Sequence, residues 1–215
     1  MFLVLTKRDK AIIRDIRRFR CMDRDSIAEL HFSDVKNPAH SANNVLLRLL
    51  RDGHIMRSNL FVPYVYYSSD SQMKRNSQKI NHFLSILNVY KELRRLGKLT
   101  AFMVEPKYLP KSQGAEPDIF CQYRGTNFFV EVQRTLYSSK QIKEKLERYV
   151  SLFNSGILDP FPHLLILSDQ RYDIEGEYPF HIFQAESFTI FLESLKSRNK
   201  SVKAIKSDGI KIRVQ

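Results

Sequence analysis

The sequence predicts a mixed α/β protein of the α+β type, built from two domains. The first 68 residues carry three helical patterns followed by two strand patterns. A polar segment at 68–77 lacks apolar periodicity and is typical of a linker. The residues beyond it show the order α-β-β-β-α-β-β-α, read from helical and strand spacings of apolar residues. We therefore predict one domain at 1–68 and another at 76–215.

The charge balance predicts a polyanionic partner. The chain of 215 residues has 35 Lys and Arg against 23 Asp and Glu, a net charge of +12. Nucleic acid is the first candidate partner and an anionic membrane surface the second. The first 75 residues hold 14 basic and 8 acidic residues, net +6, and the remaining 140 hold 21 and 15, also net +6. The smaller part therefore has about twice the charge density, which favours it as the main electrostatic contact surface.

Two further features predict a cytoplasmic protein without a membrane span. No apolar run reaches the roughly 18 residues that a transmembrane helix needs. The apolar stretch at 2–5 is too short for a signal-peptide core. Cys21 and Cys121 form neither a disulfide framework nor a zinc pattern, so we expect reduced core thiols.

The first domain begins with three predicted helices. Thr6 is the expected cap of a helix that ends at about residue 20. Asp25 or Ser26 is expected to cap a second, short helix. The third helix is predicted at 39–52, because apolar residues recur there at i, i+3, i+4, i+7 and i+8. These residues are Ala42, Val45, Leu46, Leu49 and Leu50.

Strands predicted at 54–57 and 60–66, with a short turn between them, complete a winged helix-turn-helix order. A helix fits the major groove of DNA, so the third helix is the expected reader of a double-stranded site. A solvated face on a protein-interaction module is the alternative. The predicted DNA-binding residues lie off the apolar stripe and at the hairpin: His40, Ser41, Asn43, Asn44, Arg48, Arg51, Arg57 and Asn59.

The second domain is predicted to contain one sheet between helices. Its opening helix is expected at 77–97 and its closing helix at 185–196. A further helix is expected at Ser139–Asn154. The strands are predicted at Leu99–Val104, 118–123, 127–133, His163–Leu167 and 180–184.

Two acids on neighbouring strands of this domain are candidate metal ligands. If the strands 118–123 and 127–133 form a hairpin, Asp118 and Glu131 converge at one edge. Apolar residues flank Glu131, and a buried carboxylate needs a charge partner, a metal or a hydrogen-bond network. Paired carboxylates suit Mg²⁺ or Mn²⁺, which activate water for phosphodiester hydrolysis.

Structural explanations for both acids stay open. Asp118 follows Pro117, so it is also a plausible turn or strand-start residue. Glu131 is equally suited to a structural ion pair, and the candidate partners are Arg134, Lys145 and Arg148.

The stretch EPDIFCQYRGTNFFVEVQRT resembles the PD-(D/E)xK nuclease signature, in which an Asp precedes a Glu-x-Lys on the next strand. From about residue 5 to residue 170 the chain also resembles the replication-relaxation family of bacterial plasmids and other mobile elements. The matching segments are HFLSILNVYKEL, PDIF, FFVEVQRT and KLERY. The resemblance implies a winged helix followed by a restriction-endonuclease-like αβββαβ domain.

The resemblance also implies roles for individual residues. Asp118 and Glu131 would hold Mg²⁺ or Mn²⁺, with Glu92 as an additional acid on the long helix. Gln133 occupies the position of the usual lysine, whose charge stabilises the transition state. Lys145, or its neighbour Lys143, is the candidate replacement on the following helix. The implied catalytic set is thus Asp118, Glu131, Gln133 and Lys145.

Two functions follow from the resemblance. The first is a DNA-binding protein of a plasmid or mobile element that acts in replication or DNA relaxation, with Mg²⁺-dependent nicking. The second is a non-enzymatic transcriptional or copy-number regulator, whose degenerate nuclease-like domain serves for homodimer formation or partner binding. Gln133 is the departure from the motif that keeps both functions open.

Overall fold

A computed structural model describes residues 4–74, 76–110 and 112–207 of the chain. The protein is of the mixed α+β type and divides into two compact units. Unit 1 is Met1–Tyr90 and unit 2 is Lys91–Gln215. The division falls within a long helix, α4 (Lys79–Leu96), rather than in the polar segment before it. The first part of α4 packs in unit 1, where the Tyr90 ring lies 4.9 Å from that of Phe19. The domains at 1–68 and 76–215 stay a prediction.

The first helix of unit 1, α1 (Lys7–Arg18), begins at the predicted cap, Thr6. The Thr6 hydroxyl accepts a hydrogen bond from the Asp9 amide, and the Asp9 carboxylate accepts one from the Thr6 amide. This capping box satisfies two backbone donors that have no partner within the helix. The buried face of α1 is formed by Ile12, Ile13 and Ile16.

The second helix, α2 (Arg24–His31), begins earlier than predicted. Asp25 and Ser26 are not its cap: the Asp23 carboxylate accepts the hydrogen bond from the Ser26 amide at 2.8 Å. Asp23 also ends a strand that the sequence did not predict, β1 (Met22–Asp23). Two residues are too few for a period, so this strand has no signature in the sequence.

The third helix, α3 (Pro38–Arg51), has Asn37 as its cap and Pro38 as its first residue. The strands β2 (Ile55–Ser58) and β3 (Val65–Ser68) follow, in a sheet of order β1-β3-β2. The predicted strand at 60–66 was wrong over 60–64, and only its last two residues lie in β3. Residues 59–64 form a loop, and Val62 in this loop is 97% exposed. Pro63 cannot donate to a strand ladder, which is consistent with a loop here.

Unit 2 has the predicted element order. After α4 come β4 (Leu99–Val104), β5 (Ile119–Tyr123), β6 (Thr126–Val132), α5 (Ser139–Asn154), β7 (His163–Leu167), β8 (Ile182–Ala185) and α6 (Phe188–Ser207). The sheet order is β4-β5-β6-β7-β8. The pairs β4–β5 and β5–β6 are antiparallel, and the pairs β6–β7 and β7–β8 are parallel.

Helices cover both faces of this sheet at β6. On one face, Phe129 packs in a buried cluster with Leu146 and Tyr149 of α5. On the other face, the Phe128 ring lies 5.6 Å from that of Phe188 and 5.8 Å from that of Phe191, both on α6. Because side chains alternate along a strand, Glu131 lies on the same face as Phe129, towards α5.

The described part of the chain contains no helix with the length and apolar character needed to cross a membrane. Cys21 and Cys121 are both buried and free, as the sequence predicts.

Candidate functional site

The structure brings Asp118 and Glu131 together. Ile119 of β5 pairs with Val130 of β6 in antiparallel register, and the next step along this register sets Asp118 opposite Glu131. Opposite residues of an antiparallel pair present their side chains on the same face. The Asp118 carboxylate is fixed further by a hydrogen bond of 2.8 Å from the Val132 amide. The hairpin predicted from the sequence therefore does place the two acids side by side.

Glu131 is 1% exposed, and both of its carboxylate oxygens have protein partners. The Lys145 ammonium donates to Oε2 at 2.5 Å, and the Tyr149 hydroxyl donates to Oε1 at 2.5 Å. Lys145 and Tyr149 are four residues apart on α5, so they lie one helical turn apart on the same side. Among the ion-pair partners left open by the sequence, the structure selects Lys145.

The four groups Asp118, Glu131, Lys145 and Tyr149 form one coupled cluster. Burial raises the pKa of Glu131 to about 8, the charge of Asp118 adds to the rise, and contacts with Lys145 and Tyr149 oppose it. Burial alone would lower the pKa of Lys145, but attraction to Glu131 and Asp118 outweighs it, so this pKa is raised. Burial, and then the charge of Glu131, holds the pKa of Tyr149 well above its usual value. The cluster therefore favours states in which its carboxylates share protons and cationic partners.

Lys145, rather than Lys143, is the lysine that reaches the acids. Lys143 is exposed and lines an open cleft of about 500 Å³ between α5 and the segment 173–178. Gln133 lies one residue beyond β6 and is half-buried, and its backbone N–H donates to the Leu167 carbonyl at 2.8 Å. The positive charge next to Glu131 thus comes from Lys145, in the second turn of α5. It does not come from position 133, where the motif has its lysine.

Glu92, the third predicted metal ligand, is engaged elsewhere. Its Oε1 accepts hydrogen bonds from the Thr189 amide at 2.7 Å and from the Thr189 hydroxyl at 2.6 Å. It therefore caps the N-terminus of α6, where a negative charge is favourable. No group of three or more His, Cys, Asp or Glu residues suited to a metal forms among the described residues. The predicted set Asp118, Glu131 and Glu92 is not assembled.

The donor set at Asp118 and Glu131 does not fit a divalent cation as it stands. Mg²⁺ requires six oxygen ligands in octahedral geometry. Glu131 is buried, and each of its oxygens already accepts a hydrogen bond, from Lys145 or from Tyr149. An ammonium at 2.5 Å from a carboxylate oxygen also repels a second positive charge.

The second candidate site is the outer side of α3. His40, Asn44 and Arg51 are exposed there, and Leu47, which the sequence did not single out, is 55% exposed between them. These four residues lie at i, i+4, i+7 and i+11, on one side of the helix. Asn44 Nδ2 lies 3.1 Å from His40 Nε2. The remaining two predicted residues of this helix side, Ser41 and Asn43, are half-buried.

Arg48 does not belong to this outer side, which corrects the prediction. Its guanidinium bonds the Asp9 carboxylate of α1 at 2.6 Å, and Asp9 is 1% exposed. Burial would raise the pKa of Asp9, but the Thr6 hydrogen bonds and Arg48 outweigh it and hold the pKa below its usual value. Arg48 therefore joins α3 to α1 inside unit 1.

The hairpin loop differs from the predicted tip. Arg57 lies within β2, opposite Tyr66, and its guanidinium is 4.3 Å from the centre of the Tyr64 ring. Asn59 is exposed at the start of the loop. A shallow cavity of about 440 Å³ beside the loop is lined by Arg24, Asp25, Val62, Pro63 and Tyr64.

Comparison with known proteins leaves the family open. No family model matches the chain, and no curated protein matches it.

Proposed function

We propose that this chain is a double-stranded DNA-binding protein of a bacterial plasmid or mobile element, acting in replication or DNA relaxation. The observation that carries the proposal is the exposed side of α3 in a basic unit, where a β-hairpin follows that helix. In this proposal unit 1 is a winged helix-turn-helix, α3 is its recognition helix, and the loop 59–64 is its wing.

The side chains on the outer side of α3 suit base edges in the major groove. Asn pairs with adenine, Arg pairs with guanine, and an apolar side chain contacts the thymine methyl group. Asn44, Arg51 and Leu47 supply these three chemistries on one helix side. At the wing, Arg57 and Asn59 are placed to contact the DNA backbone.

The geometry favours a non-enzymatic role for unit 2. We propose that it is a nuclease-like domain in which Lys145 and Tyr149 occupy the carboxylate that a metal would need. The protein then acts as a transcriptional or copy-number regulator, and unit 2 serves for dimer formation or partner binding. The occupied oxygens of Glu131 and the engagement of Glu92 with Thr189 support this role.

One observation favours nicking as a second candidate function. Asp118 stands opposite Glu131, and an ammonium lies beside them although Gln133 replaces the motif lysine. These are the charges that a PD-(D/E)xK site combines. Activity would require Glu131 to release Lys145 and Tyr149 when substrate binds.

Fluorescence anisotropy with labelled duplex DNA tests the DNA-binding proposal. The double variant Asn44→Ala/Arg51→Ala should lose affinity by about thirtyfold or more, because each of the two lost base contacts costs about 1–3 kcal/mol. The matched control is Asn88→Ala/Lys74→Ala, two exposed residues of unit 1 that are not part of α3. Equal affinity of the two variants, or wild type without salt-sensitive binding, would overturn the assignment.

A supercoiled-plasmid assay with Mg²⁺ or Mn²⁺ separates the two functions. A non-enzymatic protein leaves the plasmid intact at concentrations that saturate DNA binding. Nicking by wild type that disappears in both Asp118→Asn and Glu131→Gln would establish the second function instead.

A further inference from the structure

The outer side of α1 carries a row of basic residues that the sequence analysis did not single out. Lys7, Lys10, Arg14 and Arg17 are all exposed. At about 100° per residue they fall within an arc of about 80°, and at about 1.5 Å per residue they span about 15 Å. We call these four residues the cationic face of α1.

The two acids of α1 turn away from this face. Asp9 is buried against Arg48 of α3. Asp15 is largely buried, and its carboxylate lies 3.2 Å from His31 Nε2. Arg14 and Arg17 approach acids only at 3.9 Å (Asp15) and 3.5 Å (Asp70), in contacts that solvent screens. The acidic side chains of α1 thus face the interior of unit 1, and the four basic side chains face solvent.

Helix stability accounts for Arg17, which lies in the last turn and suits the helix dipole, but not for the rest of this arrangement. Cations in the first turn oppose the helix dipole, and Lys7 and Lys10 lie there. Lys10 and Arg14 form an i, i+4 pair of like charge, which is destabilising by a few tenths of a kcal/mol. The capping box and the buried isoleucines hold the helix despite these costs. A polyanion outside the protein would offset them.

We propose that the cationic face of α1 binds the phosphate backbone of duplex DNA, as a contact separate from the base-reading side of α3. The inference rests on the proposed function. One strand places a phosphate about every 3.4 Å along the duplex axis, so a 15 Å row spans about four phosphates. Duplex DNA is favoured over a membrane surface, because insertion requires apolar side chains and those of α1 are buried.

The test compares two triple variants that each remove three positive charges from the net charge of +12. The first is Lys7→Gln/Lys10→Gln/Arg14→Gln. The control is Lys107→Gln/Lys140→Gln/Arg171→Gln, three exposed residues of unit 2. Duplex affinity is measured from about 50 to 300 mM NaCl. Each phosphate contact contributes about 0.9 to the slope of log K against log salt, so the loss of three contacts should reduce the slope by about 2.7 in the first variant. In the control the slope should stay unchanged.

Every other outcome contradicts either the proposed function or the inference about α1. Wild type that lacks salt-sensitive DNA binding overturns the proposed function and this inference with it. Wild type that binds, with the two triple variants equal to each other, overturns this inference alone. Anionic phosphatidylserine vesicles that bind wild type and not the first variant, with an unchanged DNA slope, would assign the face to a membrane instead. Thermal unfolding of both variants confirms that they remain folded.

Discussion

The Lys145 ammonium lies 2.5 Å from Oε2 of Glu131, and this pair links α5 to the middle strand of the five-stranded sheet. Tyr149 fixes the other oxygen from the next turn of the helix. Side chains of α5, the helix that follows β6, therefore bind both oxygens of the carboxylate. Its protonation should be visible in the stability of the protein.

We expect stability to fall between about pH 4.5 and pH 8 through Glu131. The pKa of Glu131 is raised to about 8 by burial, above its ordinary value of 4.5. The folded state then holds a proton that the unfolded state releases, so unfolding becomes easier as pH rises, by up to about 1.4 kcal/mol per pH unit. The raised pKa of Lys145 gives a contribution that is constant over this range, because it is lost only above 10.5.

Urea denaturation at about pH 5 and pH 8 measures this effect. Glu131→Gln cannot titrate, so its free energy of unfolding relative to wild type should increase from the lower pH to the higher. The exposed Glu177→Gln is the control and should follow wild type. A Glu131→Gln profile parallel to wild type would contradict the assignment.

Tyr149→Phe should destabilise the protein by about 1–3 kcal/mol, because it leaves a buried carboxylate oxygen without its donor. The pKa of Glu131 should also rise further, since Tyr149 opposes the rise. Tyr123→Phe is a matched control: its hydroxyl is buried with no hydrogen-bond partner in the described part of the chain. Equal denaturation midpoints of the two variants would show that the Tyr149 contact contributes nothing.

Arg48→Met should destabilise unit 1 by about 2 kcal/mol, because Asp9 then keeps a buried charge without its cation. Asp9→Asn removes that charge, so the double variant should cost less than the sum of the single variants. A double-mutant cycle by thermal denaturation measures the coupling. Additive losses would mean that the two side chains do not interact, and exposed Arg51→Met should change stability by less than about 0.5 kcal/mol.

Glu92→Ala should lower stability by about 1 kcal/mol, as expected for a lost helix cap. Glu92→Gln retains an acceptor oxygen and should cost less. Exposed Glu193→Ala, on α6 itself, is the control. If Mn²⁺ binding is detected in wild type and is lost in Glu92→Gln, then Glu92 is a metal ligand and its role at Thr189 is secondary.

Local signals in the sequence predicted the elements well where they were strong. The limits of α5 and β7 match the prediction, since one has a cap and a stripe and the other is a short apolar run between loops. The strand β1 was missed, because it depends on pairing with β3, more than forty residues later. The apolar run at 60–66 was misleading because Pro63 interrupts it.

Only the part of the candidate site that depends on the pairing of adjacent strands, Asp118 and Glu131, was predictable from the sequence. The two-residue turn at 124–125 sets Asp118 opposite Glu131, and its Arg-Gly pair is visible in the sequence. Tyr149 recurs at helical spacing with the apolar residues Ile142 and Leu146, and that pattern does not reveal that its hydroxyl donates to Glu131. The Asp9–Arg48 link joins residues 39 positions apart, and no periodicity reveals which polar residue on a helix will find a buried partner.

Asp23 serves two elements at once, as the last residue of β1 and the cap of α2. Its strand partner is Val65, at the end of the loop 59–64. No linker residue therefore separates β1 from α2. A single glycine inserted after Asp23 would separate its carboxylate from the Ser26 amide, so α2 would lose its cap and the loop would lose its fixed orientation relative to α2.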